Sequence, residues 1–165
     1  MNMHSPLKRH EALVGFSKDH HFGLLLVWKI RQGLNKKVSP GRISDYVLYF
    51  FDEDIDGHFK EEEEQLFPML PSSSILRQQA ETEHKAIYEM IGRLRKDKDN
   101  MDLLLQFADA LKGHIRFEER ELFPFMQQTL SATELEQIAD HEDPRGEEID
   151  AHWHDIFWVN EKSKC

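Results

Sequence analysis

Hydrophobic side chains recur every three or four residues along most of the chain, which is the spacing of one face of an α-helix. This pattern predicts four long helices over about residues 7–34, 42–69, 74–96 and 101–128. Short polar segments separate them and carry helix stop or start signals, such as Ser39-Pro40-Gly41 and the candidate N-caps Ser72 to Ser74. The sequence therefore predicts an all-α protein whose helices form an antiparallel up-down-up-down four-helix bundle with a short C-terminal extension.

The extension begins after the fourth helix. Ser131 and Glu134 have the spacing of a capping box, which opens a short helix to about Asp140. From Arg145 on the helical pattern is weak, although the aromatic residues there can pack on the bundle. We therefore divide the chain into a bundle over residues 1–130, with a loose start over residues 1–6, and a short helix and tail over residues 131–165.

The composition agrees with a globular domain and narrows the function classes. Hydrophobic residues make up 39% of the 165 residues and charged residues 32%, which argues against disorder. With a formal net charge of -10, the chain is not expected to bind nucleic acid or an anionic membrane through its overall charge. The one cysteine, Cys165, excludes an internal disulfide and a zinc site built on paired cysteines. No apolar run suits a membrane span or a signal peptide, so a cytoplasmic location is expected.

One motif occurs twice in the chain. The sequence HFKEEEEQLFP, residues 58–68, returns as HIRFEERELFP, residues 114–124. In each copy a histidine precedes a glutamate by four residues, and these pairs are His58 with Glu62 and His114 with Glu118. Because an α-helix has about 3.6 residues per turn, this spacing puts both side chains on one face, one turn apart. The second and fourth helices of the predicted bundle are diagonal partners, so the two faces can meet in the core.

The first and third helices each place a histidine near their middle. In the third helix this residue is His84. In the first helix His20 and His21 are adjacent, and both cannot point into the core. His21 is favoured because the apolar residues three and seven positions after it match those after His84, although His20 fits almost as well.

Four imidazoles and two carboxylates on facing helices form a metal-binding constellation. Each carboxylate can bridge two cations and each cation can take two imidazoles, which favours two metal ions and leaves positions open for oxygen, peroxide or nitric oxide. This ligand set suits iron and manganese, and zinc or copper is compatible with it. The competing interpretation, a set of hydrogen-bonded core residues, has to account for the duplicated motif and for a histidine on each remaining helix. The expected metal ligands are His21, His58, Glu62, His84, His114 and Glu118.

Nearby polar residues receive structural interpretations. Glu63 and Glu119 are rotated by about 100° from the motif glutamates and are expected to support the ligands or to lie on the surface. Tyr88, one turn after His84, is expected to be a core residue. The tail histidines have no carboxylate at a regular spacing and are interpreted as surface or packing residues: His141, His152 and His154.

The combination of these motifs, His21, His58-x-x-x-Glu62, His84 and His114-x-x-x-Glu118, resembles the hemerythrin-like family, also called the HHE cation-binding domain, over about residues 8–128. The resemblance implies a four-helix bundle that holds two non-haem iron ions with an oxo- or hydroxo-type bridge and two bridging carboxylates. It also implies roles in reversible oxygen binding, iron or oxygen sensing, nitric oxide chemistry, or repair of iron centres.

The oxygen-carrying members of this family have a second histidine in the third helix, one turn from the first, where this chain has Ala80 and Tyr88. Their fourth-helix motif also has an aspartate one residue further from its histidine than Glu118 is from His114. Both departures argue against a simple reversible oxygen carrier.

Three functions are therefore considered. The leading hypothesis is a di-iron protein that binds a small ligand such as oxygen, nitric oxide or peroxide, with an electron donor as a partner. The second is a di-iron enzyme that acts as an oxidase or consumes peroxide, or a protein that senses iron or repairs iron centres. The third is a helical interaction module in which the metal is a structural staple. Manganese or zinc fits the same ligands, and the residues decide neither for nor against an enzyme and indicate no oligomeric state.

Overall fold

The computed structural model describes residues 8–139, 141 and 143–159. This part of the chain is helical, with no strand, which confirms the predicted all-α class. The loose start predicted for residues 1–6 lies outside the described residues. None of the described helices is both long enough and apolar enough to cross a membrane. The α-helices in chain order are α1 (Glu11–Asn35), α2 (Pro40–Phe50), α3 (Asp56–Glu61), α4 (Ile75–Lys96), α5 (Met101–Phe117), α6 (Phe123–Thr129), α7 (Ala132–Glu136) and α8 (Gly146–Ala151).

Side-chain caps fix where several helices begin. Helix α1 starts at Glu11, later than predicted, because Nδ1 of His10 accepts a hydrogen bond from the Ala12 amide at 3.0 Å. Ser74 caps α4 as expected, and Asn100 caps α5. The predicted capping box of Ser131 is present at α7, although the helix is shorter than the pattern indicated. Helix α8 was not predicted.

The second and fourth long helices contain π-helical turns, which the α-helical spacing of the sequence did not predict. Such turns occur at Phe51–Ile55 and Glu62–Leu66, on either side of α3, and at Glu118–Leu122, between α5 and α6. A 3-10 turn, Phe67–Met69, ends the second helix. Pro68 and Pro124 contribute to these irregularities because proline has no N–H to donate to the carbonyl four residues earlier, which lies inside the π turn.

The interior consists of two hydrophobic clusters with a polar layer between them. Helix α1 packs against α5 and α2, and α4 packs against the same two helices. Along α1, Leu13 belongs to the smaller cluster and Leu26 to the larger, and the buried His20 lies between them. The other long helices cross the same layer, so polar side chains from all four meet at one height.

The C-terminal segment is attached to the helices through a buried lysine. The Lys29 side chain is 5% exposed, and its ammonium lies 3.1 Å from the Tyr46 hydroxyl and forms an ion pair with Asp150 of α8. Tyr46 donates a hydrogen bond to the other Asp150 oxygen at 2.5 Å, and the Trp158 ring lies 4.2 Å from the ammonium. These contacts hold α8 and the residues after it against α1 and α2.

Candidate metal centre

The polar layer contains six buried histidine and glutamate side chains. Their exposed fractions lie between 0% and 8%, which is rare for such residues unless they are paired or bind a metal. Helices α1 and α4 contribute one histidine each, and the two copies of the duplicated motif contribute the rest. The six residues are His20, His58, Glu62, His84, His114 and Glu118.

The side chains form two groups that share both glutamates. In one group, His20 and His58 lie with Glu62 and Glu118, and in the other His84 and His114 lie with the same pair. Within each group all ligand atoms are within 4.8 Å of one another. Each glutamate thus faces two positions, as a carboxylate that bridges two cations must.

The distances between these atoms suit a shared cation. Nε2 of His20 is 2.9 Å from Oε1 of Glu118, and Nε2 of His114 is 3.5 Å from its other oxygen. Nε2 of His84 and Nε2 of His58 are 3.2 and 3.4 Å from Oε1 of Glu62. Two ligands bound at about 2.1 Å and at right angles on one metal are about 3 Å apart. The observed spacing therefore requires little movement for metal ligation.

Several of these atoms are buried without a hydrogen-bond partner among the described residues. Nε2 of His58, Nε2 of His114 and one oxygen each of Glu62 and Glu118 are in this state. A buried polar atom without a partner costs about 1–3 kcal/mol, so four of them in one layer demand a ligand. When deprotonated, all four atoms are lone-pair donors, so a cation would satisfy them together.

Each imidazole has a carboxylate behind it, at Nδ1. Asp19 lies 2.9 Å from His58, Glu63 lies 2.8 Å from His84, and Glu83 lies 2.7 Å from His114. Glu119 lies 3.6 Å from Nδ1 of His20, which is beyond hydrogen-bond distance, so this nitrogen has no hydrogen-bond partner among the described residues. We call these four acidic residues the carboxylate circuit.

The circuit follows the order of the helices. The first long helix supplies a carboxylate to the histidine of the second, the second to the third, the third to the fourth, and the fourth to the first. Because an ionised carboxylate only accepts hydrogen bonds, it favours the tautomer with the proton on Nδ1. The lone pair on Nε2 is then directed into the layer, and such carboxylate partners also increase the basicity of histidine ligands.

The four imidazoles and two glutamates do not titrate independently. Burial raises the pKa of Glu62 well above its ordinary value, and the charge of Glu118 raises it further. Burial also acts to raise the pKa of Glu118, but the charge of His114 and neighbouring hydrogen bonds outweigh it and hold that pKa well below its ordinary value.

The pKa values of the two histidines in the second group are also shifted in opposite directions. Burial, together with repulsion from His114, lowers the pKa of His84 to about 3. Burial acts to lower the pKa of His114 as well, but attraction to Glu118 outweighs it and raises this pKa to about 10. The layer thus retains protons that a cation can replace, and metal binding is expected to release them.

The choice of His21 over His20 was wrong. His20 is buried in the layer, whereas the side chain of His21 is exposed. The residues that favoured His21 do not lie in the core, since Leu24 is 40% exposed and Trp28 is 50% exposed. The inward stripe passes through Gly23 instead, where an added Cβ would lie 2.7 Å from a methyl group of Ile115.

A second signal for His20 was present in the sequence. An acidic residue precedes His84, and it is Glu83, a member of the carboxylate circuit. The matching dipeptide in the first helix is Asp19-His20, and Asp19 belongs to the circuit as well. The sequence interpretation had assigned no role to either acidic residue.

The neighbouring residues lie largely as expected. Glu63 and Glu119 support histidines from behind, and Tyr88 is half-buried and donates a hydrogen bond to Asp56 at 2.6 Å. Ala80 is fully buried in the smaller cluster. Helix α4 therefore brings no second imidazole to the layer.

The tail histidines behave in two ways. His152 and His154 are exposed, as expected. His141 is not a surface residue: one ring nitrogen contacts Asp19 and the other contacts Glu61. No spacing in the sequence connects His141 to the duplicated motif, so its position was not predictable from periodicity.

A small cavity lies beside the layer on the side of His20 and His58. Its volume is about 20 Å³ and its wall is mixed, with Asp54 as well as apolar residues such as Ile55 and Leu111. A cavity needs roughly 10–15 Å³ to hold one water molecule, so this one accommodates a molecule of two or three atoms only with small adjustments.

Comparison with known proteins identifies the domain. The family model described as the hemerythrin HHE cation-binding domain matches residues 15–126, a span that contains all six residues of the layer. Neither a curated protein nor a solved structure matches the chain. The matched span covers more than half of the chain and carries the duplicated motif, and the chain therefore belongs to the hemerythrin HHE cation-binding domain family.

Proposed function

We propose that the chain binds two iron ions in the polar layer and that a small ligand binds at the coordination positions they leave open. The observation that carries this proposal is the sharing of Glu62 and Glu118 by two groups of buried ligand atoms. One cation would use only one group and leave the imidazoles of the other buried and unsatisfied. Two cations satisfy all six residues, with the glutamates as bridges.

In this arrangement each ion is held by two imidazoles, His20 and His58 at one position and His84 and His114 at the other. When bound, such a pair of iron ions would supply redox chemistry and open coordination positions for oxygen, nitric oxide or peroxide, and an oxo- or hydroxo-type bridge would be expected between them. The protein orients the imidazoles through the carboxylate circuit and excludes bulk water through the two hydrophobic clusters.

The small cavity supports a ligand of very few atoms. Its wall includes His20, His58 and His114, so a ligand there would be next to imidazoles of both metal positions. Leu111 and Ile115 close the other side with apolar surface, which disfavours larger polar substrates. The volume of about 20 Å³ excludes organic substrates unless the helices move apart.

The proposal includes an antiparallel up-down-up-down arrangement of the four long helices, with residues 131–165 as a separate extension packed on it. Short connections between consecutive long helices and the contacts of α1 and α4 with α2 and α5 support this topology.

An electron donor is required as a partner for any ligand that must be reduced at the iron pair.

A second candidate function is a helical module that the metal holds together. The observation that favours it is that every long helix supplies a ligand, so bound metal links all four. In this case the ions need not react, and zinc or manganese serves as well as iron.

The experiment that tests the proposal is metal analysis of protein from iron-replete cells, with an absorption spectrum before and after reduction. The expected result is close to two irons per chain and near-ultraviolet bands that bleach on reduction. A distinct oxygenated spectrum that forms in air and disappears when oxygen is removed supports ligand carriage, and consumption of added peroxide supports turnover. Two zinc ions with no redox response would instead support the structural module.

Variants of the bridging glutamates sharpen the test. Glu62→Gln and Glu118→Gln keep the shape of the side chain but remove the charge that a bridge requires. We expect both to lower the metal content to one ion or fewer per chain. Glu64→Gln is the matched control, because Glu64 is exposed and lies in the same acidic run. Two ions per chain in either bridge variant would contradict the proposal.

A further inference from the structure

The extension after the matched family span reaches the metal layer through one side chain. His141 follows α7 in the chain, well beyond residue 126, where the family match ends. Nε2 of His141 contacts Oδ2 of Asp19, and Nδ1 contacts a carboxylate oxygen of Glu61 in α3. The same Asp19 oxygen lies 2.9 Å from Nδ1 of His58. His141 is therefore linked to His58, a proposed metal ligand, by two hydrogen bonds that share Asp19.

The residues around His141 form a packing site that fits its ring closely. Its ring stacks on Phe16, with 4.4 Å between the centroids and an angle of 28° between the planes. Gly15 leaves room for it, because a Cβ built there would lie 2.7 Å from the Cβ and Cδ2 atoms of His141. A histidine resting loosely on the surface would require neither the stacking partner nor the glycine.

Asp19 differs from the other members of the carboxylate circuit because of this contact. Its side chain is 9% exposed, whereas Glu63, Glu83 and Glu119 remain 45%, 29% and 31% exposed. Exposed carboxylates can rotate and exchange hydrogen bonds with water. Asp19 is enclosed and receives hydrogen bonds from two imidazoles, so its orientation is fixed.

We propose that His141 is a positioning residue for the metal centre, which acts through Asp19 to fix the ring of His58 with Nε2 directed at one of the two metal positions. The extension thereby makes the two positions unequal, since His141 is hydrogen-bonded to the carboxylate behind His58 and to neither carboxylate behind His84 and His114. This inference rests on the proposed metal pair, but its effect on the His58 ring exists without metal.

The first experiment uses the metal-free protein. Long-range ¹H–¹⁵N spectra of the imidazoles report the tautomer of each histidine. In the wild type His58 is expected as the Nδ1–H tautomer, and His141→Ala is expected to give a mixture of tautomers at His58 while His114 stays unchanged. A His58 signal identical in the two proteins would overturn the proposal, whether or not the protein binds metal.

The second experiment measures Fe²⁺ binding without oxygen, in competition with a coloured chelator. His141→Ala is expected to lower the affinity for one of the two Fe²⁺ ions about 10-fold, and Asp19→Ala to lower it about 10- to 100-fold. The affinity for the other ion should not change. Because His141 acts through Asp19, the double variant should bind no more weakly than Asp19→Ala alone. Independent, additive losses would show that His141 only supports the fold.

Further variants complete the test. His141→Gln retains a hydrogen-bond donor and is expected to recover at least half of the lost affinity in logarithmic terms. If His141→Ala does not fold, His141→Phe replaces it, because a phenyl ring keeps the stacking on Phe16 and has no hydrogen-bond donor. His152→Ala removes an exposed tail histidine and is expected to match the wild type. Failure of the wild type to bind Fe²⁺ would reject the proposed metal pair, and the tautomer of His58 would still decide the role of His141.

Discussion

At the residue scale, two adjacent histidines in α1 have opposite environments. His20 is 4% exposed and its Nε2 lies 2.9 Å from Glu118, whereas the His21 side chain is exposed. We predict that His20→Ala lowers the metal content by about one ion per chain, because it removes one of two imidazoles at that position. His21→Ala should leave the metal content unchanged. Metal analysis of the purified variants decides between them, and equal loss in both would contradict the assignment.

Residue spacing predicted most of the polar layer and failed at one position for a physical reason. A repeated four-residue interval brings together four of these residues, which are His58, Glu62, His114 and Glu118. Such an interval can be read directly from the sequence. The stripe through His20 includes Gly23, which buries no side chain but lets Ile115 approach. A hydrophobicity pattern counts apolar side chains, so a close contact at a glycine is invisible to it.

At the scale of single helices, two glycines should respond in opposite ways to alanine. Gly57 in α3 has nothing within 4 Å of an added Cβ, so a methyl group there meets no neighbour among the described residues. Gly57→Ala is therefore predicted to stabilise the protein by about 0.5–1 kcal/mol through helix propensity. Gly15→Ala should destabilise it by about 1–3 kcal/mol, because the new methyl group meets His141.

Urea unfolding of the two glycine variants measures this difference directly. The two substitutions add the same atoms to helical positions, so each serves as the control for the other. A stabilised Gly15→Ala variant would show that His141 does not occupy its packing site beside Gly15 in solution. A destabilised Gly57→Ala would mean that the surface of α3 is covered by a partner.

The π turns show what element-level prediction lacks. Alternation of apolar residues over Glu62–Leu66 and Glu118–Leu122 fits an α-helix and a π-helix almost equally well over five residues. Since π turns are frequent at functional sites, their occurrence at both motif glutamates agrees with a ligand role for these residues.

At the scale of the whole molecule, the buried lysine makes the extension part of the fold. Asp150→Ala is predicted to lower the free energy of unfolding by roughly 3 kcal/mol, because it leaves the ammonium of Lys29 buried without its charged partner. Asp109→Ala is the matched control. It removes the exposed partner of Arg31, with a side chain 73% exposed, and should cost less than about 1 kcal/mol. Equal losses in the two variants would show that the Lys29 pair is solvated.

Metal removal should affect the whole bundle and not one helix. The polar layer crosses every long helix, and without a cation it contains buried atoms that lack partners. At a free metal concentration 100 times the dissociation constant, binding stabilises the folded state by about 2.7 kcal/mol per site. Hydrogen exchange of chelated and metal-loaded protein is the measurement, and faster exchange on α1, α3, α4 and α5 alike is expected. Exchange confined to one helix would contradict a shared centre.

The all-helical class and the breaks between helices followed from periodicity and from turn residues, whereas the course of the extension did not. Its contacts depend on single residues such as His141 and Asp150, which meet partners more than a hundred positions away in sequence. Such contacts leave no local pattern, so only the folded structure reveals them.

The carboxylate circuit has a consequence for design. The fourth helix supplies Glu119 to the first in the same sense as the first supplies Asp19 to the second, so no helix is the beginning or the end of the circuit. What the centre requires is the order of the helices around an axis and not the place where the chain is cut. A circular permutant opened in the turn at Asp97–Asn100 would retain every ligand and every carboxylate behind it. We therefore expect that the residues of the polar layer can be transferred together to another four-helix scaffold.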